Sequence, residues 1–367
     1  MIADQAAGDL LAALRDPTTL TRLDAARQTD LVERARAADV LARIAARARR
    51  GQAWARLPER LRDILDADAR GAAAHRRRTC FEADRLGRAL RGTAGMPVLL
   101  KGAAYALAGL PAADGRRPGD IDILVPRQAL AEVETRLRAE GWDEIRLQPH
   151  ERRYFRAWMH ELPPLRHRER GTVLDVHHAI LPPLGRLSPD PDMLIAAAHP
   201  LAKAPGLRVL APADMTLHCI LHHVQDGEFR HSLRELVDLD DLLRHFGPLP
   251  GFWSGLEARI AQFGLHRPAR HGLHQAATLL GTPVPAQLSE TLARSGGPLA
   301  LRRTTDAAMA SALRASGRAP RGLAERLAAQ ALVLRAHWMK LPPRLLLRHA
   351  LAKLAARITS GADRPAS

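Results

Sequence analysis

VLLKGAAYALAGLPAADGRRPGDIDILVP, residues 98–126, decides how this chain is read. Val98, Leu99 and Leu100 form a short apolar run that ends at Lys101-Gly102 and passes into the helix-forming stretch Ala103–Leu107. A strand that feeds a helix through glycine lets a backbone approach a phosphate, and the first helical N–H groups then face an anion. Eighteen residues after Gly102, Asp120-Ile121-Asp122 opens a second apolar run, Ile123-Leu124-Val125. Side chains alternate along a strand, so Asp120 and Asp122 share one face while Ile121 and Ile123 take the other. Two carboxylates about 7 Å apart on one face can converge on divalent cations.

Working outward, a third apolar run, TVLDV at 172–176, is interrupted by Asp175 and followed by His177-His178. An acid inside a strand costs desolvation unless a cation or hydrogen bonds meet it. A helical pattern, Leu130, Val133, Leu137, lies between the second and third runs, and 142–147 and 152–158 are weaker strand candidates. The fold class predicted is α+β: a small mixed β-sheet with helical N-terminal and C-terminal regions. Four regions follow: a helical N-terminal region 1–92, a strand-bearing core 93–186 that holds the three acids, helices packing on the core 187–246, and a basic helical region 247–367.

Helix signals fill both flanks. Segment 30–50 puts Leu31, Ala35, Val40, Leu41 and Ile44 near one face with Asp30 as N-cap, and Pro58 opens the next helix. Segments 214–225 and 232–246 are amphipathic, with Asp214 and Ser232 as caps, and Arg234 and Asp238 stand i, i+4 as a surface ion pair or a packing contact. His218 and His222 have a zinc-compatible spacing, but no third ligand or His-Glu-x-x-His pattern accompanies them.

The chain has 367 residues and a formal charge of +16, yet only four of its 55 basic residues are lysines, so the arginine content reflects coding bias as much as function. Residues 301–360 hold twelve Lys/Arg against two Asp/Glu, which leaves the rest only mildly basic. Few aromatics offer little stacking surface for single-stranded nucleic acid. Cys80 and Cys219 are too few for a disulfide framework and read as buried thiols. No apolar run reaches the ~18 residues of a membrane span, and the acidic start lacks a signal-peptide pattern, so a cytoplasmic location is expected. The stretch 342–358 places Leu347, Leu351, Leu354 and Ile358 on one face with Arg344, Arg348 and Arg357 at its margins. It is expected to dock on the protein's own core and to associate with an anionic surface only weakly.

The pieces LLKGAAYAL, RRPGDIDILV, LDVHHAI and LRELVDL resemble the uncharacterised bacterial nucleotidyltransferase family, within the DNA polymerase β-type superfamily. The resemblance implies a metal-dependent nucleotidyltransferase that moves an NMP from an NTP to a hydroxyl or phosphate acceptor, using Mg²⁺ or Mn²⁺. It marks Asp120, Asp122 and Asp175 as catalytic and metal carboxylates. Lys101, Gly102, Ala103 and Arg117 become the nucleotide contacts. The superfamily has Gly-Ser or Gly-Gly at the phosphate helix where this chain has Gly102-Ala103, so the triphosphate is gripped by backbone N–H groups and by Lys101 or Arg117. A peptide, small molecule, sugar phosphate or RNA end would serve as acceptor. The alternatives are a catalytically silent nucleotide-binding scaffold or sensor of the same fold, and a basic helical nucleic-acid-binding protein.

Overall fold

The structure, a computed structural model, describes residues 2–225, 232–295, 298–316 and 322–348. The three apolar runs become the middle of one seven-stranded mixed sheet in the order β3-β4-β5-β2-β1-β7-β6. β1 is Val98–Leu100, β2 Ile121–Leu124, β3 Trp142–Glu144, β4 Leu165–His167, β5 Val173–His177, β6 His199–Pro200 and β7 Arg208–Val209. β2 runs antiparallel to β1 and parallel to β5, and β7 joins β1 in parallel. Every residue of β1 and β2 is buried, as continuous apolar runs covered on both faces require.

Helices flank the sheet in sequence and in space. Ile2–Arg15, Ala25–Ala37, Leu41–Arg50 and Glu59–Ala89 precede it, and Pro212–Gln225, Ser232–Phe246, Phe252–Gln262, His266–Leu280 and further helices to Lys340 follow it. One contiguous apolar core runs from Leu14 and Ile44 through Leu99, Ile123 and Val176 to Leu236, Leu256 and Leu273. No helix among the described residues is long and apolar enough to cross a membrane. Of the C-terminal stripe, Leu351, Leu354, Arg357 and Ile358 lie outside the described residues, while Leu347 is exposed.

Several local readings change. Residues 152–158 form no strand; Pro149–Trp158 is a helix, started by proline at its first turn and by the Glu151 carboxylate accepting from the Gln148 N–H at 3.0 Å. Its aromatics also fit a helical face, with Tyr154 and Trp158 one turn apart and their rings 6.0 Å from each other. The strand on the other side of β5 from β2 is β4, three residues long and hidden behind Pro163-Pro164. Segment 30–50 is two helices, broken where Asp39 adopts a left-handed φ of 56°, and the first is capped by Asp24 instead of Asp30. Asp214 lies inside its helix, held by Arg259 through contacts of 2.6 and 2.7 Å.

A buried ionic cluster ties the helices to the sheet. Arg234 and Asp238 do not pair with each other. Asp238, 2% exposed, takes the Arg43 guanidinium on one oxygen and Arg116 Nε at 2.8 Å on the other. Arg43 also reaches Asp241 at 3.1 Å, and Arg47 reaches Asp240 and Asp241 at 2.7 and 2.8 Å. Burial pulls the Arg43 guanidinium down to about 10, against the charge of Asp241, so it remains a cation at neutral pH.

Removing the shared acceptor takes from buried Arg116 its Asp238 partner and leaves Arg43 with Asp241 alone. Asp238→Ala is expected to cost about 3–5 kcal/mol in urea unfolding. Asp66→Ala, which breaks the solvent-facing pairs to Arg49 and Arg70, should cost below about 1 kcal/mol. Equal losses in the two variants would mean that the cluster does not clamp the fold.

Candidate active site

Strand register brings two of the three acids together. In the parallel pair β2–β5, Asp122 stands directly opposite Asp175, and in the antiparallel pair β1–β2 it stands opposite Leu100, the residue before Lys101. Asp120, two residues ahead of Asp122, opens the same face. The three grade outward: Asp122 is buried, Asp175 half-buried and Asp120 exposed. All three therefore lie at one end of the central strands, next to the junction between β1 and the helix Lys101–Leu107.

Lys101 occupies that junction in an unusual backbone state. Its φ is 45°, a left-handed conformation that costs a non-glycine residue about 1 kcal/mol and is kept only where the surroundings fix it. The fixing contact is its ammonium, 2.7 Å from Asp122 Oδ1. His177 Nε2 reaches the same oxygen at 3.1 Å. Burial disfavours a charged Asp122, but Lys101 and His177 overcome this and hold it well below the ordinary carboxylate range. Asp175 has the opposite balance: burial, then the charges of Asp122, Glu161 and Asp120, push it up to about 8. Its Oδ1 is buried without a hydrogen-bond partner. Asp120 is raised chiefly by the charge of Asp122 and then by burial. Three acids at one end of the central strands, with Lys101 and His177 beside Asp122, perturb one another's protonation.

The expected nucleotide contacts divide. Gly102 and Ala103 are both buried. The glycine is required because a Cβ there would collide with Arg116 Nη1 and crowd Pro118 Cγ. Arg116 thus fills the notch that the sequence suggests is kept for a phosphate. Arg117 points away, to Asp39 at 3.3 Å and Asp68 at 2.9 Å, where it ties the 116–119 loop to the N-terminal helices. Arg234 meets the other oxygen of Asp39 at 3.3 Å.

Two residues that sequence reasoning did not single out, His160 and Glu161, border the acids beside His177. Residues 160–162 run beside the end of β5, with Glu161 bridged to His177, Leu162 N–H donating to Val176 O at 2.9 Å, and His178 N–H donating to His160 O at 2.8 Å. Glu161 Oε2 lies 3.3 Å from His177 Nδ1. The Asp175-x-His177 spacing signalled His177; nothing in the spacing signals His160 or Glu161. Of the other histidines, His222 Nδ1 pairs with Glu235 at 2.8 Å and His218 is buried among Lys101, His177 and Asp122, so their helical spacing serves packing.

A pH signature follows. A carboxyl near 3.8 when unfolded and about 8 when folded keeps a proton in the native state that the unfolded chain releases, so it subtracts stability as pH rises between those values. In cation-free buffer, Asp175→Asn should therefore gain melting temperature over the parent progressively from pH 5 to pH 8. Parallel curves across that range would place Asp175 in an ordinary, solvated setting.

No curated protein and no solved structure matches this chain. A family model described as an uncharacterised nucleotidyltransferase matches residues 24–281, a span that takes in the whole sheet, the three acids and Asp238. With the sheet, the paired acids and most of the sequence inside that match, the chain belongs to the uncharacterised nucleotidyltransferase family.

Proposed function

We propose that the protein transfers a nucleotidyl group from a nucleoside triphosphate to an acceptor hydroxyl or phosphate, with Asp120, Asp122 and Asp175 holding divalent metal. The observation that carries this reading is the register of Asp122 against Asp175, with Asp120 on the same face at the pocket mouth. What supports a cation there is Asp175 Oδ1, buried and unpartnered, in register with Asp122 and on the face that Asp120 opens. Bound divalent metal would supply neutralisation of triphosphate charge and a lower pKa for the acceptor hydroxyl.

The chain's own groups do the rest. Lys101, whose ammonium meets Asp122, would exchange that carboxylate for a phosphate oxygen, a point-charge contact suited to lysine. Asp175, protonated at neutral pH without a cation, would release that proton when divalent metal binds and, as a carboxylate of raised basicity, take the proton of the acceptor hydroxyl. The acceptor oxygen forms its bond to the α-phosphorus as the bond to pyrophosphate breaks in line, so positioning and charge balance supply most of the catalysis. Arg116 and Arg117 contribute by holding the loop that leads into Asp120, through Asp238 and through Asp39 and Asp68.

A silent nucleotide sensor would bind without turnover, and one pair of measurements separates the two. Mg²⁺ and a nucleoside triphosphate together should raise the melting temperature more than either alone, because triphosphate oxygens complete the cation's coordination. Asp122→Asn should remove that joint shift. Labelled nucleotides, offered one at a time with Mg²⁺ or Mn²⁺ and cell extract, should leave label on an acceptor and release pyrophosphate. A joint shift without label transfer supports the sensor, and a shift unchanged in Asp122→Asn places the nucleotide elsewhere.

A further inference from the structure

We propose that His160, Glu161 and His177 form a binding site for a divalent transition-metal ion, Zn²⁺ above all, beside the carboxylates and separate from them. One donor atom from each of the three lies within 4.8 Å of the other two. The main chain sets this up. Glu161 bridges to His177 across the 160–162 segment, while β4 pairs with β5 at Leu165 and Leu174. Three residues, 162–164, therefore stand against two, 175–176, and the extra residue at Pro163-Pro164 makes a bulge. The bulge lets the segment ahead of it turn His160 and Glu161 toward the end of β5.

Both imidazoles offer a nitrogen without a partner. His177 Nε2 stands 3.1 Å from Asp122 Oδ1, so Nδ1 is the nitrogen on the Glu161 side. Nδ1 is buried and makes no hydrogen bond, although Glu161 Oε2 lies only 3.3 Å away. A cation between that nitrogen and the carboxylate would satisfy both. His160 Nδ1 is likewise buried and unpartnered. The imidazole that would ligate through one nitrogen while donating its other N–H to a carboxylate is the arrangement that orients metal-binding histidines in general. Two imidazoles and one carboxylate, with a position left open, suit Zn²⁺ and its neighbours and suit Mg²⁺ poorly. The three acids, all oxygen donors, have the reverse preference.

The site is testable without nucleotide, so a failure of nucleotidyl transfer leaves the result untouched. Untagged full-length protein, stripped with a chelator and dialysed, is titrated with Co²⁺ and followed by visible absorption. One equivalent should develop the d–d bands of low-coordinate Co²⁺, which Zn²⁺ erases and excess Mg²⁺ does not. Glu161→Gln and His160→Ala should each weaken binding by at least about tenfold and alter or abolish the bands. Asp120→Asn and Asp175→Asn should keep the band shape at saturating Co²⁺. Circular dichroism of each metal-free variant checks the fold, and His160→Gln substitutes if the alanine variant fails to fold. Bands that survive intact in the His160 variant, or vanish in Asp175→Asn, put the ion on the carboxylates and overturn the assignment. So does the absence of any band at saturating Co²⁺, which would leave His177 as an imidazolium between Asp122 and Glu161.

Discussion

The Asp238 carboxylate, with Arg116 on one oxygen and Arg43 on the other, is the contact on which the remaining geometry depends. It joins three stretches far apart in sequence: the N-terminal helix Leu41–Arg50, the loop before β2 and the helix Ser232–Phe246. A charge pair so deeply buried gains little over apolar packing, and its value lies in what it excludes. Any packing of these helices that parts the cations from the acid leaves unpaired charge in the interior. The cluster therefore selects one arrangement. It also sets the position of Arg116, and through Arg116 and Gly102 it fixes where the helix after β1 begins and where Lys101 stands.

Seen this way, the glycine and the arginines of the central motif have structural duties that their sequence context disguises. Gly102 is small so that a guanidinium can pass, and Arg117 secures the loop against Asp39 and Asp68. Only Lys101 among the expected nucleotide contacts faces the acids. The start of this helix carries no hydroxyl, and the notch at its glycine is occupied by a guanidinium.

What the sequence made legible follows from how far each signal reaches. The central strands were readable because burial on both faces demands unbroken apolar runs, and the acids stood out against those runs. β6 and β7, two residues each, carry no period to detect. Residues 152–158 misread as a strand because Tyr154, Phe155 and Trp158 are residue types enriched in strands, while the deciding signal, Pro149 with Glu151, lies upstream. His160 and Glu161 were invisible for another reason: a bulge places them, and a bulge depends on pairing with a strand a dozen residues away. Arg116 and Arg117 are adjacent and chemically identical, so only tertiary contacts could assign their different partners.

The register of β2 against β5 has one further consequence. Asp122 and Asp175 align only when Ile121 and Ile123 meet Leu174 and Val176. A slip of one residue would turn Asp175 into the apolar interior and its apolar neighbours toward the pocket. The error that ruins the chemistry thus also ruins the core, and such a chain is removed by its own instability before it can accumulate as a folded but inert protein. Folding acts here as a proofreading step for the pocket. Variants selected purely for solubility or heat resistance would accordingly retain the alignment of the two acids, with no assay of activity ever applied.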